Sequence, residues 1–432
     1  MSGVVIIGAG LTGLSAAWHM RQSALQPLVL EAEDRPGGAC RTLERDGFSF
    51  DLTGHLLHLG REESRILLGR LGVLSRMRRH RRRAGIALAG AVTPYPIQIH
   101  THKLPPAIRR ECLLGFLEAR LAGEPAETPA TFAEWVTQRF GAGFARHFFF
   151  PYNSKLFCAA PETMSADWVG RYVPRPALAD VVDGALGLFP AARAVGYNAA
   201  FLYPKVGGIS MLPEALAAAS GPVRYGAAVR RLHLGDRSLE LECGEVLGFE
   251  TLIATVSLRT LASITEDLPA DAAAAAAALR AVGVVNVNLG VRGKAPRREH
   301  WLYVPEGRFP FYRVGIPSNH GSVAPDGCHT LSVEVSLPTG SPVPADLFDS
   351  CLAGLESLGL LRDRKDVETV AQERIDPAYV VFDAARPPAV AAIRDTYRRA
   401  GVILSGRWAE WKYSTMEDAL WDGATAARRV AP

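Results

Sequence analysis

The feature that most constrains this chain is its first dozen residues. Val4-Val5-Ile6-Ile7 is an apolar run of strand length, and it leads directly into Gly8-Ala9-Gly10-Leu11-Thr12-Gly13. Ala16, Ala17, Trp18 and Met20 then follow an apolar helical pattern. A strand, a Gly-x-Gly-x-x-Gly turn and a helix in that order predict a βαβ unit that holds a dinucleotide. Gly8 would allow the tight turn, Gly10 the approach of a pyrophosphate, and Gly13 the close packing of helix on strand. The amides around Thr12, with the helix dipole, would hold the phosphates. A second strand, Pro27 to Leu30, ends at Glu31, about 20 residues on, where a ribose hydroxyl needs a carboxylate. The plainer alternative is a buried βα unit with no ligand.

The residues after Glu31 narrow the ligand. Glu31-Ala32-Glu33-Asp34-Arg35-Pro36-Gly37-Gly38-Ala39-Cys40-Arg41-Thr42 resembles the glycine-doublet segment of the large FAD superfamily that includes amine oxidases. A plain NAD dehydrogenase has no need of a second close-approach glycine pair there, so the reading is FAD. The chain closes on a similar logic. Gly401 to Gly406-Arg407 is a buried strand, and a polar-aromatic loop then enters a last helix that runs to Arg429. The start of that helix, Met416-Glu417-Asp418-Ala419, can face the flavin ring, where its dipole stabilises negative charge on reduced flavin.

Composition sets the bounds. The 432 residues are 48% hydrophobic and 21% charged, an ordinary globular balance, and the length predicts two or three domains. A net charge of +4 does not argue for nucleic acid. The run Arg76 to Arg83 could be a polyanion site; the preferred reading is a solvated helix end or loop. Six scattered cysteines lack metal or redox spacing and read as reduced cytosolic thiols. The start reads as free of a secretory signal, and no apolar run reaches about 18 residues, so a cytoplasmic protein is expected. Asp271 and the seven alanines after it read as a helix.

Taken in order, Gly47 to His55 gives a short strand and then a Thr53-Gly54 turn; Thr53, Gly54 and His55 are candidate site residues. His55 and His58 lack further ligands for a metal. Thr93-Pro94-Tyr95-Pro96-Ile97-Gln98 is stiff and extended. From about Pro105 to Ala200 the pattern is helical, with breaks at Pro125, Pro151 and Pro161. Within it, Phe148 to Phe157 places Asn153 and Lys155 among aromatic residues, where each must be satisfied in a core or face a ligand. Val223 to Tyr225 and Ala228-Val229 to Leu232 read as returning strands of the first unit, and strands dominate again from Val282 to Val381. The expected fold is α/β: an FAD-binding Rossmann-like domain (1–90, 203–265 and 395–432), an inserted helical domain (91–202) and a second mixed or antiparallel sheet domain (266–394).

Four further segments together resemble UDP-galactopyranose mutases, closest to the eukaryotic type. They are Pro94 to Gln98, Pro151-Tyr152-Asn153-Ser154-Lys155, Trp301-Leu302-Tyr303 followed by Pro310-Phe311-Tyr312-Arg313, and Gly406 to Tyr413. The resemblance spans nearly the whole chain. It implies an isomerase that interconverts pyranose and furanose forms of a nucleotide sugar through an adduct of the sugar with N5 of FADH⁻, without net redox. NADPH or NADH is the implied reductant. Arg313 would neutralise the diphosphate, with hydroxyls from Tyr303, Tyr379 and Tyr413. Asn153 and Gln98 would contact nucleotide and sugar, Tyr95 and Phe157 would shape the uridine pocket, and Trp301 would line the sugar cavity. Thr53-Gly54-His55 would lie beside N5, Arg407 at the pyrophosphate, and Met416 to Ala419 at the flavin edge.

The chain departs from the family at four places. Tyr172 stands where a second diphosphate-binding arginine is usual, with Arg171 one step early and Arg175 nearby; Thr53 replaces Gly, Phe157 replaces Trp, and an Asn near Glu417 is replaced. The sugar and nucleotide are therefore open, with UDP-galactopyranose as first candidate. The alternative is an FAD oxidoreductase of the amine-oxidase or protoporphyrinogen-oxidase kind, which shares the terminal motifs; a third is a flavin-holding protein without catalysis.

Overall fold

The computed structural model describes residues 2–123, 129–170, 172–190, 195–196 and 198–430. The continuous apolar run at the start forms the strand Ser2–Ile7, buried between parallel neighbours Leu28–Leu30 and Val246–Ala254. Such a run, lacking polar alternation, suits a strand covered on both faces. Val402–Leu404 pairs in parallel with Val246–Ala254, Val223–Arg224 adds beyond Leu28–Leu30, and Ser238–Leu241 and Val229–His233 complete this first sheet. Helices Leu11–Gln22 and Met416–Val430 pack closely on each other. At their crossing a Cβ on Gly423 would stand 2.3 Å from the Thr12 carbonyl oxygen.

The second sheet has seven strands in the order Val367–Val380, Ala281–Arg292, Cys328–Pro338, Arg313–Gly315, Trp301–Tyr303, Ala84–Leu88, Ala91–Pro94. All neighbours are antiparallel except Trp301–Tyr303 with Ala84–Leu88, which are parallel. Residues 84–90, expected with the dinucleotide unit, thus belong to this sheet: Ala84 to Leu88 is wholly buried and pairs with a strand more than 200 residues away, a partner that local pattern does not reveal.

The inserted segment is helical, as its periodicity requires, in Pro106–Leu121, Phe132–Phe144, Phe150–Phe157 and Leu178–Leu186. Pro151 does not break it. The missing amide falls in the first turn of Phe150–Phe157, where the chain has re-registered through a π turn at Ala145–Phe149. Pro125 lies outside the described residues. The basic run is mostly strand: Met77–Arg81 is antiparallel to Ala200–Pro204, Arg76 ends a short helical turn before it, and Arg82 and Arg83 are loop after it. Lys155 is satisfied by protein. Its Nζ donates to the carbonyls of Val304 (2.9 Å), Glu306 (2.6 Å) and Phe311 (3.1 Å), and burial brings its pKa down to about 8. Among the described residues no helix is long and apolar enough to cross a membrane.

The three motif glycines separate by cause. Gly8 has φ +102°, a conformation that disfavours side chains; a Cβ on Gly13 would sit 2.0 Å from the Gly8 carbonyl oxygen; a Cβ on Gly10 would meet nothing within 4 Å. Gly13→Ala is therefore expected to cost about 1–3 kcal/mol of stability by overpacking, whereas Gly10→Ala should keep the thermal midpoint of the flavin-free protein and lose bound flavin. Thermal unfolding with flavin absorbance reads both, and an unchanged midpoint for Gly13→Ala would refute the packing role.

Candidate functional site

A cavity of about 740 Å³ runs from the glycine turn to the second sheet. Its cofactor end is lined by Gly8, Gly10, Thr12, Glu31, Gly38 and Val229, and farther along by Thr53, Gly54, His55, Met416 and Ala419. Glu31 is buried, and its carboxylate accepts from the Ala9 amide at 2.6 Å and the Glu33 amide at 3.1 Å. It is thereby fixed at the end of its strand, at the cavity wall. The open side of Gly10 and the amides at the start of Leu11–Gln22 suit a pyrophosphate, so the residues present fit a dinucleotide.

Several expected cofactor contacts are placed elsewhere. Gly13 and Gly406 lie behind the wall; Gly406, at φ +92°, leaves room for Thr12, whose Oγ1 would be 2.6 Å from a Cβ there. Glu417 and Asp418 turn away from the cavity. Glu417 accepts from the Gly60 and Arg61 amides, both at 2.7 Å, and Asp418 binds the Arg61 guanidinium at 2.9 Å. As the acids of a helix's first turn they find donors in the 60–61 turn, so only Met416 and Ala419 of that quartet face the cavity.

The end of the cavity at the second sheet gathers Tyr95, Gln98, Asn153, Phe157, Trp301, Tyr303, Arg313, Tyr379, Arg407 and Tyr413 from six separate stretches of chain. Tyr152, Trp168 and Tyr172 join them. Arg171 lies outside the described residues, and Arg175 stands over the Trp135 ring, 5.3 Å from its centroid, instead of lining the cavity. Tyr172 meets Tyr413 edge to face at 4.5 Å, and the Tyr379 and Tyr413 rings stack at 6.3 Å. The Arg407 guanidinium lies over both, at 5.1 and 5.3 Å, while donating to the Ala378 and Ser414 carbonyls. Asn153 spends its amide N–H on the Phe149 carbonyl at 2.8 Å. The Gln98 amide donates to the Pro174 carbonyl at 3.3 Å.

Arg313 has the acidic partner that a buried cation requires. Its Nη2 and Nε donate to Oε1 of Glu334 at 2.6 and 3.0 Å, and the two side chains are 21% and 1% exposed. Burial is the largest influence and disfavours the charge, but the Glu334 carboxylate, the nearby Tyr379 and Tyr312 and the hydrogen bond to Glu334 together overcome it and raise the guanidinium pKa. Glu334 also accepts from the Gly54 amide at 3.3 Å and from the Tyr312 hydroxyl. One strand over, Asn286 Oδ1 accepts from the Thr53 amide (2.9 Å) and from Asn288 (2.8 Å). The 53–55 turn is thus suspended from the second sheet by consecutive amides, and Thr53 is held at φ +67°. Glu334, Asn286 and Asn288 escaped the sequence reading. Their signal is polar alternation, Thr330-Ser332-Glu334-Ser336 and Asn286-Asn288, inside runs of valine and leucine.

His55 projects from that turn into the cavity, with Nδ1 buried and without a hydrogen-bond partner. Burial first, then the charges of Arg407 and Arg313, lower its pKa from 6.5 to about 4. His58 is not its partner in a metal site; its Nδ1 meets the Ala200 carbonyl at 3.0 Å. Among the described residues no three ligating side chains are grouped to hold a metal.

Two outcomes follow. Glu334→Gln should destabilise the protein by about 3 kcal/mol, since it strips the charge from the partner of a buried guanidinium; an unchanged denaturation midpoint would sink this account. His55 is expected to stay neutral from about pH 8 to 5.5. Because the unfolded chain takes up the proton near 6.5 and the folded one near 4, its contribution to stability is present above 6.5 and lost as pH falls from 6.5 to 4. A histidine Cε1 resonance titration checks this, and a midpoint near 6.5 would contradict it.

Comparison with known proteins agrees with this geometry. A family profile described as flavin containing amine oxidoreductase matches residues 11–431. "Amine oxidase [flavin-containing]" of Oncorhynchus mykiss is 42% identical over 65 residues, 15% of this chain and 12% of that protein. The chain spans less than a fifth of the length of the curated relatives it matches. Among solved structures, a reduced UDP-galactopyranose mutase superposes with a TM-score of 0.93 at 26% identity, over 100% of this chain and 94% of that one. A cyclohexylamine oxidase from Brevibacterium oxydans IH-35A shares the fold at a TM-score of 0.66 and 18% identity, over 100% and 98% of the two chains. The chain therefore belongs to the flavin containing amine oxidoreductase family, and within it has the whole-length architecture of a UDP-galactopyranose mutase.

Proposed function

We propose that this chain is a flavin-dependent mutase that interconverts pyranose and furanose forms of a nucleotide-activated hexose, with UDP-galactopyranose as first candidate. The observation that carries the reading is Arg313, a guanidinium held charged at the cavity wall and surrounded by Tyr303, Tyr379 and Tyr413. An apolar or amine substrate has no use for that group, whereas a diphosphate does. The whole-length likeness to a UDP-galactopyranose mutase supports the same reading. Reduced FAD, regenerated by NADPH or NADH, would supply a nucleophilic ring nitrogen with no net redox change.

The protein's own groups would do the rest. Arg313 would hold the diphosphate when bound and oppose its charge as it leaves the anomeric carbon. Tyr303, Tyr379 and Tyr413 would donate hydroxyls to its oxygens; burial raises the Tyr413 pKa, so its proton stays available for donation. Tyr172 would offer a phenol where the family has its second arginine, and Arg407 would brace the Tyr379–Tyr413 pair and neutralise nearby phosphate. Tyr95, Gln98 and Phe157 would receive the nucleotide; Asn153 and Trp301 would face the sugar. His55, neutral at physiological pH, would add no further cation beside Arg313 and Arg407 and leave a nitrogen free to exchange a proton with a sugar hydroxyl.

The test is to incubate the purified yellow protein with UDP-galactose, with and without dithionite. Conversion to the furanose only when reduced is the expected result. No conversion, together with amine-dependent peroxide formation, would replace the mutase by an oxidase. Arg313→Ala should lower turnover by about 10²–10³-fold, the loss of one charge-stabilising group; near-wild-type turnover would remove the diphosphate from this wall.

A further inference from the structure

A second concavity, of about 640 Å³, shares Tyr95 with the cofactor cavity and opens beside it. Among the described residues that line it, Arg79, Arg81, Arg82, Arg83, Lys103 and Arg298 are cationic, and Glu299 is the one carboxylate. Glu299 is itself 4.0 Å from Arg297, which is not part of the lining. Elsewhere on the surface exposed arginines are interleaved with acids: Arg230 and Arg231 with Glu240, Arg364 with Asp349 and Glu356. Here they are not. Arg79, Lys103 and Arg298 have no side-chain hydrogen bond or ion pair among the described residues.

The remaining groups are set in place. Arg82 donates to the Val195 carbonyl at 2.8 Å and to Asn198, and lies 4.6 Å over the Tyr95 ring. Arg83 reaches the buried His300 ring at 3.3 Å. His80, whose Nε2 is buried with no partner, stacks 5.3 Å from Phe201. Gathering six like charges round one hollow costs self-repulsion, which a bound anion relieves. The volume suits a small molecule, and arginine forks match phosphate oxygens.

We infer that this hollow is a binding site for a small oligophosphate-bearing ligand, distinct from the cofactor cavity. The shared Tyr95 ring would make its occupancy felt at the nucleotide end of the main cavity. The inference does not depend on the mutase reading.

Isothermal titration of the flavin-loaded protein with inorganic tripolyphosphate, and separately with adenosine triphosphate, tests it. Tighter tripolyphosphate binding assigns a free oligophosphate; tighter nucleotide binding assigns a nucleotide-borne one. Arg79→Gln/Arg298→Gln changes two exposed residues that do not line the cofactor cavity, and should weaken binding at least 10-fold with flavin content unchanged. Lys103→Gln, on a different segment, should weaken it several-fold should the double variant fold poorly. Absence of binding to wild type at millimolar ligand, or binding by both variants within twofold of wild type, would overturn the proposal.

Discussion

The ion pair between Arg313 and Glu334 is the constraint on which the rest of the site depends. Two charges taken out of water are tolerable only when each is met by the other and by further hydrogen bonds. Glu334 meets this condition with the guanidinium, the Tyr312 hydroxyl and the Gly54 amide. The same carboxylate therefore fixes a cation at the cavity wall and anchors the turn that carries His55. Because the anchor strand lies in the second sheet and the turn follows the first dinucleotide unit, this pair also sets the spacing between the two halves.

The dinucleotide half works by absence. Gly8, Gly13, Gly406 and Gly423 are positions where backbone or a threonine lies too close for a side chain, and Gly10 is one where space is left open. The glycines let two helices start at the same cavity, one at Leu11 and one at Met416. Their converging amides favour negative charge in a region that the rest of the chain keeps largely apolar.

What was legible in the sequence was local. The first motif could be read because strand, turn, helix and Glu31 are tied to fixed spacings, and the last helix because an apolar strand and loop announced it. The aromatic and arginine candidates from 95 to 413 were named from a resemblance of motifs, and their convergence on one cavity is a fact of topology that no window of sequence contains. Glu334 was missed because a single acid among valines reads as a solvent-facing residue until a second polar strand is laid beside it. Residues 84–90 read as part of the dinucleotide unit and 91–94 as part of the helical insertion for a related reason: a strand's partner is non-local. Pro151 looked like a stop because a π turn has no sequence mark. The arginine run was read as a helix end or loop because charge hides the alternation of a short strand.

Lys155 carries a mechanical consequence. Its ammonium is gripped by carbonyls on a segment 149 and more residues away, which follows the strand bearing Trp301 and Tyr303. The helix with Tyr152 and Asn153 and the wall with Tyr303 and Arg313 are thus riveted at one point. Spreading them would expose a cation and three acceptors together, a cost that opposes any separation of these two walls.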